Sequence, residues 1–594
     1  MRHCRRMTAA GEDTDGGAPL FAPPRMDRRP LPGGGWRLRA RDALQPHAPR
    51  ITDALWHWEA AAPDRPFLRE RGPDGGWQGV GFGEAAAQVR ALAAALLARG
   101  LGPQRPLAIL SGNSVRHALL ALAAQAVGVP SAAISVPYSL QSADLGKLRQ
   151  ILRRLRPGLV FAEDAVAFAR ALAVEDARGV EAISAADWDA LLAVPVTPDV
   201  ACAIEALDPD APAKILFTSG TSGLPKGVVT TQRMMAANQQ QILQAWPFLA
   251  QAPPELLDWL PWSHVFGGSH NLNLALRFGG TLWIDAGRPM PGAFDATLAN
   301  LREVAPTIRF DVPRGHALLL PALEADAALA AHLFARLRLV FSAGAALPEA
   351  LYGRWQALAA RHAPRPVPVV SAWGMTETAP AAIVTHRMDA PMGCIGTPLP
   401  GVELRLLPVE DRLELRLRGP NVFPFYLDDA AATEAAFDAD GFLRTGDAVA
   451  WLDPADPDRG LRFDGRLAED FKLLSGTRIH AQEVRLRALA ALGTLARDVV
   501  VVGADRDELG LFVFPNEGAG RDAVLAALRA MNAAAGDASS RRVARAMLLA
   551  EPPSLDAGEV TDKGSLNPRA ILARRAAALE RLYNDTNDPE VLTP

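Results

Sequence analysis

The sequence predicts an α/β protein in three parts. These are a large N-terminal domain of parallel-type sheets flanked by helices, a small β-barrel-like subdomain at its end, and a small C-terminal α+β domain. Three observations lead there. Between residues 85 and 370, short apolar runs alternate with helical periodicity, the pattern of a mostly parallel sheet with helices on its faces. From about Gly393 the runs become shorter and are separated by turns. After Asp464-Gly465-Arg466 a mixed strand and helix pattern resumes. A chain of 594 residues also exceeds one ordinary core. The expected boundaries are a poorly ordered extension over 1–45, a large domain over 46–464, a junction over 465–470 and a small domain over 471–594.

In chain order, residues 1–45 are rich in Arg, Gly and Pro, a composition that disfavours a packed core. An amphipathic helix follows near 51–61, then a helix over 85–99 that Gly100 ends. A strand at 107–110, a helix at 117–125 and a strand at 131–136 make one crossover unit. The stretch 118–136 is the most apolar, but Gly128 and Pro130 break it, so it reads as a buried helix and strand and not a membrane span. A helix at 144–155 and a strand at 159–161 repeat the unit. Further strands are expected at 281–284, 307–310, 337–341 and 367–370, with a helix at 232–244 and another entered by 259–268. The barrel-like part has strands at 402–407, 412–417 and 448–452. The last unit has strands near 498–502, 509–514 and 543–549, helices over 521–531 and 568–582, and loose residues from about 584.

Composition narrows the function. A net charge of −4 and a pI of about 6.3 give no basic face, so nucleic acid is not an expected partner, and neither is a membrane. Cys4, Cys202 and Cys394 lie far apart without metal-ligand spacing and fit a reducing cytoplasm. Met1-Arg2-His3-Cys4-Arg5-Arg6 is followed by Gly, Asp and Pro and not by an apolar segment, so no secretory signal is expected.

The chemistry centres on Thr218-Ser219-Gly220-Thr221-Ser222-Gly223-Leu224-Pro225-Lys226-Gly227. Glycines let backbone N–H groups turn toward an anion, hydroxyls add rotatable donors, and Lys226 adds a point charge. That is a loop built to close over a polyphosphate. It is not a Walker A loop, because Lys226 precedes Gly227 and the returning strand begun by Val228-Val229.

Together with later segments, in this order, the loop resembles the adenylate-forming superfamily of acyl-CoA synthetases, adenylation domains and luciferases, over about 50–583. It looks most like feruloyl-CoA synthases, through Ile109-Leu110-Ser111-Gly112-Asn113, Leu260-Pro261-Trp262-Ser263-His264-Val265-Phe266-Gly267-Gly268, Gly465-Arg466-Leu467-Ala468-Glu469-Asp470-Phe471-Lys472 and Asp562-Lys563-Gly564-Ser565. The resemblance implies a ligase that joins a carboxylic acid to CoA with ATP and Mg²⁺, by way of an acyl-adenylate, with ferulate or a related hydroxycinnamate as the acid. Another aryl or medium-chain acid, a carrier protein in place of CoA, or a nucleotide-binding module without turnover are the other readings.

The resemblance also implies residue roles. In Trp373-Gly374-Met375-Thr376-Glu377 the aromatic residue lies by the adenine, Thr376 contacts the α-phosphate and Glu377 helps hold Mg²⁺. Gly344-Ala345-Ala346 leaves room for a flat ring, and Asp447 with Arg466 would hold the ribose. His264 would flank the acyl site. Gly267, Asn271 and Leu274 would line it along one helical face, with Phe266 also in the pocket and Phe310 and Pro313 as the far wall.

Lys563 resembles the lysine that bridges the acyl carboxylate and the α-phosphate. The family pattern there is Ser-Gly-Lys, whereas this chain has Thr561-Asp562-Lys563, and Lys472 is an alternative. The junction would be a hinge that swings a mobile small domain. Counting forward from Arg466 puts the hinge acid at Glu469; counting back from Gly476 puts it at Asp470. Lys472, Ser475 and Gly476 would then face CoA.

Overall fold

In a computed structural model the described residues are 19–219, 225–290, 292–535, 540–584, 588 and 590–594. The large domain is a stack of sheets and buried helices. One six-stranded sheet runs in the order Pro225–Thr231, Pro212–Ser219, Ser131–Ala133, Leu107–Leu110, Leu159–Ala162, Glu181–Ser184. All its neighbours are parallel except the first pair, which is the antiparallel return read from the sequence. A four-stranded sheet packs Glu255–Asp258, Thr281–Ile284, Pro66–Arg71 and Trp77–Gly81 side by side.

The helices Phe82–Ala98 and Val115–Ala126 belong to the main core. Every residue of Val115–Ala126 except Arg116 is buried, which is why it is apolar all round instead of amphipathic. Ser114 caps it by accepting from the His117 amide.

The antiparallel strands after residue 393 are joined by hydrogen bonds to the parallel part. They continue one 11-stranded sheet whose other end is the parallel trio Val369–Gly374, Leu339–Ser342 and Ile308–Asp311. Ala381–Val384 and Cys394–Pro398 are the hydrogen-bonded bridge between the two halves. The far edge is a hairpin, Met26–Pro30 with Trp36–Ala40, paired to Glu403–Val409. For residues 26–40 this corrects the expectation of poor order over 1–45; residues 1–18 lie outside the described residues. Leu38 is fully buried, Met26 nearly so, and Trp36 packs edge-on against Trp451, so one apolar side chain per turn of the pleat suffices at the edge of an existing sheet.

The small domain has a four-stranded sheet, Ala496–Val502, Gly510–Pro515, Arg545–Leu548 and Val591–Leu592. The last strand corrects the expectation of a loose end: Val591 and Leu592 pair with Met547 and Ala546 and are buried. The single helix expected over 568–582 is two, Pro568–Arg574 and Ala576–Asn584, separated at Arg575, whose guanidinium is turned inward. Among the described residues no single helix is long and apolar enough to cross a membrane.

Candidate active site

The site forms where three distant segments meet at the ends of strands, the usual place for ligands on open parallel sheets. The first is the glycine-rich hairpin. Its strands pair Thr218 with Lys226 and Ser219 with Pro225; Gly220, Thr221, Ser222 and Gly223 lie outside the described residues. The Lys226 Nζ sits over the Tyr426 ring, 5.0 Å from its centroid. The second is the turn after Val369–Gly374. Gly374 is required there, because a Cβ would overlap the Pro380 carbonyl. The Met375 amide donates to Thr378 Oγ1 at 2.9 Å and sets the one-turn helix Thr376–Thr378. Thr376 and Glu377 are therefore held in a buried turn.

Glu377 is 6% exposed and accepts a 2.8 Å hydrogen bond from the Tyr426 hydroxyl. Burial pushes its pKa up, against the Tyr426 hydrogen bond and the charges of Lys563 and Lys226. A buried carboxylate beside two lysines is a site prepared for a charged partner.

The third segment belongs to the small domain. The Gly564 amide donates to the Thr561 carbonyl at 2.9 Å, and Gly564 has φ of +83°, closing a β-turn with Asp562 and Lys563 at its corners. Lys563 keeps accessible surface, yet enough protein surrounds its ammonium that burial lowers its pKa, against the attraction of Asp562 and Glu377. The neighbouring Asp562 reaches the large domain: it accepts from the Tyr138 hydroxyl at 3.1 Å and lies 3.2 Å from His264 Nε2. Burial and Lys563 together bring the His264 pKa down to about 4, so its imidazole is neutral near pH 7.

Asp447 lies on Leu443–Trp451 opposite Arg466, with carboxylate and guanidinium 3.5 Å apart. Its other oxygen accepts from the Trp373 indole at 2.9 Å. Burial raises the Asp447 pKa against these two partners. Trp373 is only 6% exposed, and its indole N–H holds the Asp447 carboxylate. Gly344, Ala345 and Ala346 are exposed on the loop that leaves Leu339–Ser342, and Gly344 takes the left-handed φ of +84° that glycine tolerates.

The acyl-side assignments divide. Phe266–Asn271 is a π-helix that precedes the α-helix Leu272–Arg277. Gly267, Asn271 and Leu274 are all closely packed by neighbouring protein. A Cβ on Gly267 would overlap the Leu260 carbonyl, the Asn271 amide donates to buried Asp258 at 3.0 Å, and Leu274 has no exposed surface. Phe266 and Phe310 do come together, edge to face at 6.0 Å, in a cluster with Phe341 and neutral His270. Pro313 is half-buried at the start of Pro313–Ala325.

At the hinge, Asp470 is 1% exposed and accepts from Arg412 of the large domain at 3.0 Å and from the Ala481 amide at 3.3 Å. Glu469 is also largely enclosed, and burial raises its pKa against the charges of Arg466 and Arg485. Of the two candidate lysines, Lys563 is the one that interacts with Glu377; Lys472 pairs with Glu410 at 3.2 Å on the surface. Ser475 and Gly476 form an exposed turn in which Ser475 bonds Thr477 at 2.9 Å.

Three site residues escaped the sequence reading. Tyr426 is separated from Glu377 by 49 positions, Tyr138 from Asp562 by 424, and Asp562 itself was visible only as a departure from a pattern. The sole local signal was the acid beside Lys563.

The comparisons with known proteins give the family. The family model described as AMP-binding enzyme matches residues 55–427, and AMP-binding enzyme C-terminal domain matches 473–587. The chain belongs to the AMP-binding enzyme family, the adenylate-forming superfamily that includes the acyl-CoA ligases. Sulfoacetate–CoA ligase of Cupriavidus necator is 31% identical over 452 residues, covering 74% of this chain and 82% of its own. The mitochondrial malonate–CoA ligase ACSF3 of Mus musculus is 30% identical over 332 residues, 50% of this chain and 53% of its own, so the chain spans about half of that relative. Among solved structures, ATP-bound MatB from Rhodopseudomonas palustris has the same fold, with a TM-score of 0.69 at 22% identity over 89% of this chain and 98% of that one.

Proposed function

We propose that the protein is an ATP-dependent carboxylic acid–CoA ligase that works through an acyl-adenylate. The observation that carries this reading is that Lys226 and Lys563, from two separate segments, both act by charge on the buried Glu377 carboxylate of a third. In the first half-reaction an acid oxygen attacks the α-phosphorus of ATP, and the bond to pyrophosphate breaks. An anion attacks an anion, so positive groups must be in place beforehand. Lys563 supplies one beside the α-phosphate and Lys226, with its hairpin, cradles the outer phosphates. Thr376 donates to the α-phosphate. Mg²⁺, held by Glu377 and phosphate oxygens, would screen their charge; a single buried carboxylate suits its preference for few protein ligands and several phosphate or water oxygens. In the second half-reaction the CoA sulfur attacks the acyl carbon and AMP leaves. The hinge at Glu469 and Asp470 would exchange the Lys563 turn for the Lys472, Ser475 and Gly476 face, shielding the adenylate from water.

Asp447, with Arg466, is the proposed ribose contact. Asp447→Ala is expected to raise the KM for ATP about 10- to 100-fold, the range for losing hydrogen bonds to a charged acceptor, with a smaller effect on kcat. An unchanged KM for ATP would remove Asp447 from that role.

For the acid we propose ferulate or a related hydroxycinnamate. The support is the aromatic cluster of Phe266, Phe310 and Phe341, in which His270 is neutral and Arg309, on the same strand as Phe310, is already paired with Asp311. A short dianionic acid is the second reading, favoured by what the malonate and sulfoacetate ligases are named for. The test is CoA-thioester formation with ATP and Mg²⁺ across ferulate, coumarate, caffeate, cinnamate, benzoate, octanoate, malonate and sulfoacetate. Preference for the hydroxycinnamates is expected. Turnover confined to malonate or sulfoacetate keeps the mechanism and replaces the substrate; acid-dependent pyrophosphate release without thioester points to another thiol, and nucleotide binding without turnover to a binding module. The proposed compartment is the cytoplasm, supported by free Cys202 and Cys394.

A further inference from the structure

The turn that presents Lys563 touches the large domain through acids and not through the lysine alone. Asp556 and Asp562 lie in one short stretch of the small domain, and both land on residues 135–147 of the large domain. Asp556 accepts from Ser142 Oγ at 2.6 Å and from the Ala143 amide at 2.9 Å. Asp562 accepts from the Tyr138 hydroxyl at 3.1 Å and from Ser135, and faces His264 at 3.2 Å. Its side chain is only 6% exposed. Lys147 stands over the Tyr138 ring at 5.2 Å, where its charge acts on Asp562 and Asp556 together. A carboxylate so enclosed costs desolvation unless donors and cations surround it, and here they come from the opposite domain.

We infer that Asp562, seconded by Asp556, is a positioning residue: a carboxylate clasp that docks the small domain on residues 135–147 and thereby seats Lys563 for adenylate formation. Asp562 and Lys563 are the two corners of one β-turn, so fixing the first fixes the backbone of the second. A glycine in that place, as in the Ser-Gly-Lys pattern, has no side chain with which to reach Tyr138 or His264. The swing to the second half-reaction must break every one of these contacts. The clasp therefore favours the adenylating arrangement specifically, and its loss should leave thioester formation intact.

The inference rests on the ligase reading above, and the experiment separates the two. Full-length wild type, Asp562→Ala, Asp562→Asn, Asp556→Ala and Tyr138→Phe are compared in three measurements. These are acid-dependent pyrophosphate release, CoA-thioester formation from supplied acyl-adenylate, and hydrogen exchange of residues 559–567. Asp562→Ala should slow the first about 10²-fold, the scale of a misplaced reacting group. It should leave the second near wild type and speed exchange in 559–567. Asp562→Asn, which keeps an acceptor for Tyr138, should recover part of the loss, and Tyr138→Phe and Asp556→Ala should show weaker versions of it. Wild-type exchange in 559–567 for all four variants overturns the clasp, whether or not any acid is turned over. Equal loss in both half-reactions overturns its selectivity. A wild-type protein that forms no adenylate with any acid removes the ligase reading, while the exchange comparison still decides the clasp.

Discussion

Replacing Lys563 with alanine is expected to slow acyl-adenylate formation about 10²- to 10³-fold, the cost of losing one oriented charge-stabilising group. The structure gives the reason for the size. Lys563 is brought within reach of the Glu377 charge by the β-turn at Gly564, which projects it from the small domain. Its ammonium is partly desolvated, which strengthens its action on a developing negative charge. Thioester formation from supplied acyl-adenylate should fall far less, because that step starts after the α-phosphorus has reacted and proceeds with the small domain turned. Single-turnover measurement of each half-reaction makes the comparison. Equal losses in both would show that Lys563 serves the fold and not the chemistry, and Lys472→Ala, whose partner is Glu410 on the surface, should spare adenylation.

The legible parts of this site were those in which chemistry and local pattern coincide. Thr218 to Lys226, Thr376 with Glu377, and Lys563 each announce themselves by residue types that a loop has little other reason to combine. The parallel alternation behind them was equally visible, because period and apolar runs are local properties. What was hidden depends on tertiary context. The π-helix Phe266–Asn271 cannot be told from an α-helix by counting threes and fours, and the close packing of Gly267, Asn271 and Leu274 comes from neighbours on other elements that their spacing does not reveal. The hairpin beginning at Met26 hides behind arginine, because an edge strand needs only Leu38 and Trp36 to be held. Tyr138 and Tyr426 carry no local signature, since each acquires its role from a partner on a different element.

Glu559→Ala is expected to cost the small domain about 3–5 kcal/mol, the usual result of removing one member of a buried ion pair and stranding the other. Glu559 sits at the foot of the segment that carries Lys563. Its side chain has no exposed surface, and it accepts from Arg575 Nε at 2.7 Å, from Arg574 at 2.6 Å and from the Ser554 amide at 2.8 Å. Without it, the Arg575 guanidinium that separates the two last helices keeps only the Glu551 and Pro552 carbonyls. Burial alone would raise the Glu559 pKa, but Arg575, the Ser554 amide and Arg574 outweigh it and hold the carboxyl at about 2, against an ordinary 4.5. A pKa lower in the folded than in the unfolded state stabilises wherever the unfolded carboxyl is also ionised. The contribution, about 3 kcal/mol, is therefore complete above about pH 5 and is lost as pH falls from there through about 2. The stability gap between wild type and Glu559→Gln should follow that course. All 12 tryptophans lie at or before Trp451, so tryptophan fluorescence follows the large domain while hydrogen exchange over 471–594 follows the small one. Lowered protection in 471–594 with an unchanged fluorescence transition is the expected pair. A gap that persists to pH 2, or a variant as protected as wild type, would mean that the arginines are satisfied without Glu559.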